Sequence, residues 1–241
     1  MRIAVISDIH GNLEAFEAVL ADIDRSDIDR VVSLGDNIGY GPDSEEVVQR
    51  IMDREIPSVL GNHEKVIPEP EFLDWFNPTI QKSMEKILDR LSEESLAHLR
   101  DTESYLTRWN CRFVHGFPPE STSTYLFQVS EDEIRNVLSS YEDRLCFVGH
   151  THELRLISAD GDRIDYPPFG RGITKLNPGT RYLINVGSVG QPRDGDNRAK
   201  YVIRDVEEDT LEVRFVPYDI ETVVRKILDS GLPEFNAYRL R

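Results

Sequence analysis

Short β-branched runs alternate with stretches of helical period through the first sixty residues. This alternation narrows the fold more than any other feature of the chain. Arg2 to Ser7 is an apolar run long enough for one buried strand. Asn12 to Arg25 carries Leu13, Phe16, Val19, Leu20 and Ile23 at helical spacing. Arg30 to Leu34 reads as a second buried strand. Asp43-Ser44-Glu45-Glu46 reads as a capping box ahead of Val47, Val48, Ile51 and Met52, and Pro57 to Leu60 as a third strand. Strand and helix joined by short loops predict a βαβαβ unit with a parallel sheet.

The rhythm breaks near residue 64. Residues 64–110 are polar and helix-like, interrupted by Pro68, Pro70 and Pro78, and read as a helical insertion. Strands are predicted at Cys111–Val114 and Leu145–Val148, with a capped helix between them starting at Ser130. Beyond His152 the pattern turns to β, with strands near 153–157 and 181–186, a hairpin over 200–216 and a last helix capped by Asp219. With no linker or repeat, residues 1–241 read as a single α/β domain: a parallel half, the insertion and a more antiparallel half.

Composition removes several function classes. The net charge of −16 argues against a protein that coats duplex nucleic acid or an anionic membrane surface. The two cysteines, Cys111 and Cys146, lie in apolar runs with no C-x-x-C spacing and read as buried thiols. No apolar stretch reaches 18 residues and the N-terminus is not a signal peptide, so the expected location is the cytoplasm.

The polar residues fall in a pattern. The predicted strands run out into Asp8-Ile9-His10, Gly35-Asp36-Asn37, Gly61-Asn62-His63, His115-Gly116 and Gly149-His150-Thr151-His152. Five of the six histidines sit there; only His98 does not. Alone, each is an ordinary turn or N-cap residue, as Asn12 can be. Together they line the edge of an open α/β sheet where ligands bind. Two carboxylates, several imidazoles and an amide, without thiolate, suit Mn, Fe, Zn, Co or Ni better than copper(I) or an iron–sulfur cluster. Seven donors exceed the four of a structural zinc site. They suggest two ions, roughly 3.5–4 Å apart, sharing one carboxylate.

The series Asp8-x-His10, Gly35-Asp36, Gly61-Asn62-His63-Glu64, His115 and Gly149-His150-x-His152 resembles the calcineurin-like metallophosphoesterases. Asn185 to Arg193 is similar to the closing segment of the small prokaryotic members. The resemblance implies a layered α/β/β/α sandwich and two divalent ions, manganese first, with iron, zinc, nickel, cobalt or magnesium as alternatives. It implies that Asp8, His10 and His152 hold one ion, that Asn62, His115 and His150 hold the other, and that Asp36 bridges them. A hydroxide shared by the ions would attack phosphorus in line, with His63 assisting the leaving oxygen. Glu64 would either pair with His63 or begin the insertion exposed.

One departure narrows the substrate. Protein phosphatases of this superfamily follow the bridging Asp with x-x-Asp-Arg-Gly, where this chain has Asn37-Ile38-Gly39-Tyr40-Gly41. That favours a small phosphodiester or phosphoanhydride, including nucleotide-type substrates, over a phosphomonoester or phosphoprotein. Tyr40 either stacks on a base or packs beside the Gly-Pro turn. Arg193 either clamps phosphate or pairs with Asp194 or Asp196. A non-catalytic metal-binding scaffold should have lost ligands such as His63, which is present. A metal-free nucleotide binder should carry a phosphate-cradling glycine motif, which is missing.

Overall fold

The computed structural model describes residues 1–241. In chain order the elements are β1 (Arg2–Ile6), α1 (Leu13–Ile23), β2 (Arg30–Ser33), α2 (Ser44–Asp53), α3 (Pro78–Leu88), α4 (Glu93–Arg100), β3 (Tyr105–Arg108), β4 (Cys111–Val114), α5 (Glu131–Ser139), β5 (Leu145–Val148) and β6 (Leu154–Asp160). There follow β7 (Arg163–Asp165), β8 (Gly172–Lys175), β9 (Arg181–Val186), β10 (Ala199–Asp205), β11 (Thr210–Val216), α6 (Ile220–Ser230) and α7 (Glu234–Tyr238).

The strands form two sheets, ordered β2-β1-β10-β11-β8 and β3-β4-β5-β9-β6-β7. Alternation along β1 shows how they stack. Ile3 and Val5 face Phe113, Phe147 and Ile184 of the second sheet, while Ala4 and Ile6 face Phe16, Val19 and Leu20 of α1. The outer face of the second sheet is covered by Ile134 and Leu138 of α5. The layers are therefore α/β/β/α. Asn12 caps α1 by accepting from the Ala15 N–H at 3.1 Å, and Ser130 with Glu133 closes a capping box on α5.

Five expectations need correction. The parallel first half is one ladder only: β1 pairs β2 in parallel but β10 in antiparallel. Pro57–Leu60 is extended yet meets β2 at a single bridge, Ser33 to Ser58. Proline has no N–H to offer, and the Leu60 N–H turns away to the Glu103 carbonyl. The sheets also do not follow the division of the sequence into halves, because each combines strands from both. The insertion is not helical throughout, since β3 ends it as an edge strand paired to β4. At residue 43 the capping box is missing: the Asp43 carboxylate binds Lys226 at 2.9 Å instead. No helix is long and apolar enough to cross a membrane. Both cysteines are free and buried, and burial pushes each thiol up to about 12.

Candidate metal centre

Strand ends deliver the polar residues to one place. β1 leads to Asp8 and His10, β2 to Asp36, β4 to His115, and β5 to His150 and His152; the extended 57–60 segment leads to Asn62 and His63. All eight side chains are buried. Asp8, His10, Asp36, His150 and His152 have left-handed backbone, with φ between 51° and 68°. Each such residue costs on the order of 1 kcal/mol, a strain that concentrates at functional sites. The turns brace one another. His10 N–H donates to the Asp36 carbonyl at 2.9 Å, and Gly149 N–H to that of His115 at 2.8 Å. His150 N–H reaches across to Asp8 Oδ2 at 3.1 Å, joining the two sheets.

Four imidazoles have their outward nitrogen tied to a backbone carbonyl. His10 Nδ1 meets Ile38 O at 3.0 Å, His115 Nδ1 meets Leu34 O at 2.8 Å, His152 Nδ1 meets Gln191 O at 2.6 Å, and His150 Nε2 meets Ser123 O at 3.1 Å. Carbonyls only accept, so these nitrogens carry the protons and the other nitrogens turn lone pairs inward. The inward nitrogens face each other: His10 Nε2 and His152 Nε2 at 3.1 Å, His115 Nε2 and His150 Nδ1 at 3.2 Å. Asp8 Oδ1 is buried without a hydrogen-bond partner, 3.3 Å from His152 Nε2. Asn62 Oδ1 lies 3.0 Å from His115 Nε2. Asp36 Oδ2 stands between the groups, 3.6 Å from His10 Nε2 and 3.2 Å from His115 Nε2. Facing lone pairs and an orphaned carboxylate oxygen repel unless a cation joins them. Asp8, His10 and His152 form one triad within metal-binding reach; Asp36, His115 and His150 form a second; His10, Asp36 and His63 form a third. The donors present fit two divalent cations.

Charge in the cage is strongly coupled. Burial opposes ionisation of Asp36, but His115, His63 and His10 outweigh it and hold the carboxyl well below its usual range. Burial also opposes protonation of His115, yet Asp36 and Asp8 lift it to about 9. His115 Nε2 is thus a place that demands positive charge. Burial pushes His150 down to about 3 and His63 to about 4, leaving both neutral at pH 7.

Glu64 neither pairs with His63 nor lies exposed. It is fully buried, and its carboxylate accepts the N–H groups of Asp36 (2.9 Å), Asn37 (2.6 Å), Ile38 (3.1 Å) and Gly61 (3.1 Å). One carboxylate therefore fixes the two turns that present Asp36 and Asn62. Burial and Asp36 push it up to about 7, while four donated N–H groups favour the ionised form. Gly61 permits this approach, because a Cβ there would lie 2.2 Å from Asp36 Oδ1. His63 rests on the insertion: its Nδ1 meets Met84 Sδ of α3 at 3.2 Å, and its ring packs on Phe76 with centroids 5.0 Å apart.

Tyr40 and Arg193 also reach the site. The Tyr40 ring lies against His10 and His63, centroids 4.5 and 4.8 Å away, rather than against its own turn alone. Arg193 makes no ion pair with its neighbours: Asp194 takes Lys200 at 2.8 Å, and Asp196 takes Arg198. Its guanidinium instead lies 6.0 Å over the Tyr40 ring. Ser188 and Gln191, in the segment after β9, support the cage: Ser188 Oγ donates to the Asp8 carbonyl at 2.9 Å and Gln191 O holds His152. On the other side Tyr125 stacks on His150 with centroids 3.9 Å apart. Sequence reading missed Met84 and Tyr125, which no local signal marks. Glu64 did carry a signal, its place directly after Gly61-Asn62-His63.

Comparison with known proteins agrees with this geometry. The chain is 39% identical over 245 residues, 99% of its length and 96% of the relative's, to an uncharacterised protein of Methanocaldococcus jannaschii. The crystal structure of a metallophosphoesterase from Sphaerobacter thermophilus matches with a TM-score of 0.85 at 34% identity, covering 100% of this chain and 98% of that one. Serine/threonine-protein phosphatase 2 of Escherichia coli is 27% identical over 148 residues, 55% of this chain and 66% of that protein. The family model described as the calcineurin-like phosphoesterase superfamily domain matches residues 1–209, and this chain belongs to that superfamily.

Proposed function

We propose that the protein is a dinuclear metal-dependent hydrolase of a phosphodiester or phosphoanhydride. One observation carries the reading: four imidazoles with outward nitrogens tied to carbonyls turn their lone pairs onto two buried carboxylates. Asp8, His10 and His152 would hold one ion, and Asn62, His115 and His150 the other, with Asp36 between them. Manganese suits this oxygen and nitrogen set. Two divalent ions bound there supply Lewis-acid polarisation of phosphoryl oxygens and an activated water. The chain's own groups do the rest. Glu64 fixes the Asp36 and Asn62 turns. The neutral His63 ring, held between Tyr40 and Phe76, offers a nitrogen to the leaving oxygen.

The name of the Escherichia coli relative raises a phosphoprotein substrate. The loop after Asp36 argues against it. A Cβ at Gly39 would lie 2.1 Å from His63 Nδ1, so no carboxylate can stand there to orient the imidazole, and a thioether takes that place. The test is hydrolysis of p-nitrophenyl phosphate, its bis ester and a dinucleoside tetraphosphate with and without Mn²⁺. Turnover of the bis ester or the tetraphosphate that needs the ion is expected. Turnover of the monoester alone would overturn the substrate preference.

A further inference from the structure

Beside the metal cage two guanidinium groups converge where no carboxylate meets them. Arg193 Nη2 and Arg239 Nη1 approach the same atom, Gln191 Oε1, at 3.1 and 3.5 Å. Neither arginine forms an ion pair, although the chain carries 44 Asp and Glu residues against 28 Lys and Arg. Arg193 Nε is buried with no hydrogen-bond partner at all. Partial burial and the neighbouring Arg193 charge depress the Arg239 guanidinium below its usual range, as like charges held together require.

The pair is tied to the cage by short links. Gln191, whose side chain the arginines share, holds His152 through its backbone carbonyl. Arg193 N–H donates to the His152 carbonyl at 3.2 Å. Asn236 of α7 donates to the Tyr40 carbonyl at 2.9 Å, which docks Arg239 against the same loop. A cavity of about 310 Å³ adjoins Arg239 on the side facing α3, with Tyr40, Asn77 and Phe235 also in its walls; Arg193 stays outside it, and none of its lining residues is acidic. Arg239 also lies outside the 1–209 stretch that the superfamily model covers.

Charge decides what fits. Two divalent cations on Asp8 and Asp36 leave a surplus that one phosphoryl group neutralises. The two guanidinium groups are then further positive charge, in the forked geometry that recognises phosphate. We propose that Arg193 and Arg239 form an anion subsite for a second phosphoryl group of the substrate, one bond system away from the group being cleaved. The substrate class is thereby a phosphoanhydride bearing at least two phosphates. This deepens the phosphoesterase reading and rests on it.

Calorimetric titration of manganese-loaded protein with inorganic phosphate and with imidodiphosphate, manganese kept in excess of the probe, tests the subsite. Imidodiphosphate should bind at least tenfold tighter than phosphate. Arg239→Gln, a change at an exposed side chain, should shrink that preference about tenfold, and Arg239→Lys should restore part of it. A preference that survives Arg239→Gln, or equal binding of the two probes by the wild type, overturns the subsite while leaving phosphoryl binding at the cage intact. Binding of neither probe overturns the phosphoesterase reading with it.

Discussion

At the amino-terminal ends of the strands lies a groove of about 630 Å³, walled by Asp24, Asp27, Asp29, Arg30, Arg54 and Arg108 among others. It is larger than the cavity beside the metal cage and also rich in charge. Its charges, however, are either paired or exposed to water. Arg54 grips Asp24 through two contacts of 2.7 and 2.8 Å, and Asp29 accepts the Arg2 N–H at 2.6 Å. Left-handed backbone occurs there too, at Asp27, Glu55 and Trp109, but the first two are exposed turn positions bathed in water and Trp109 is a half-buried side chain packed on the apolar core. At the carboxyl-terminal ends the left-handed residues are buried, and like-facing nitrogens and oxygens stand unanswered. The difference teaches that a site is marked by buried polar groups lacking partners, rather than by the volume of a depression.

The contrast can be broken by mutation. Asp36→Asn should lower kcat/KM for the bis ester by about 10³-fold or more in saturating Mn²⁺, whereas Asp27→Asn in the far groove should change it less than about twofold. Steady-state assays of the two variants check this; comparable losses would erase the distinction between the two ends. Glu64→Gln should cost about 3 kcal/mol, because an amide NH₂ would face N–H groups that now donate to a carboxylate. Glu55→Gln, exposed at the far edge, should cost less than about 0.5 kcal/mol. Urea midpoints measure both. Met84→Leu keeps the volume under His63 but removes the sulfur. It should lower kcat roughly three- to tenfold with KM little changed, seen in the same assay; an unchanged kcat would make Met84 mere filling.

A pH-dependent effect lies away from the cage. Burial of Asp22 favours its protonated form, but hydrogen bonds from Arg214 and Tyr201 outweigh this and lower its pKa below the ordinary 3.8. A folded pKa below the unfolded one stabilises above that range, and the contribution fades as pH falls through the folded value. Asp22→Asn should therefore cost about 1 kcal/mol at pH 7 and progressively less below pH 4, read from thermal or urea unfolding across pH.

Much of the site was legible because it is local. Each strand end carries its own Asp, His or Asn within a few residues, and the periodicity of β1, β2, β4 and β5 locates those ends. What was hidden is long-range. Nothing near residue 57 says that the chain bridges β2 once and leaves. Nothing in residues 199–205 says that they pair with residues 2–5. The strands missed, β3, β7 and β8, are short and largely exposed, so no buried run marks them. Met84, Tyr125 and Arg239 reach the site from other elements of the fold, and only folding shows that they meet His63, His150 and Gln191.

The central claim is that the cage binds two cations joined by Asp36. Equilibrium dialysis against Mn²⁺ followed by elemental analysis measures it directly. Two ions per chain in the wild type, and no more than one in Asp36→Asn, is the predicted result. A wild type that takes up no manganese, or an Asp36→Asn protein that still holds two ions, would contradict the account.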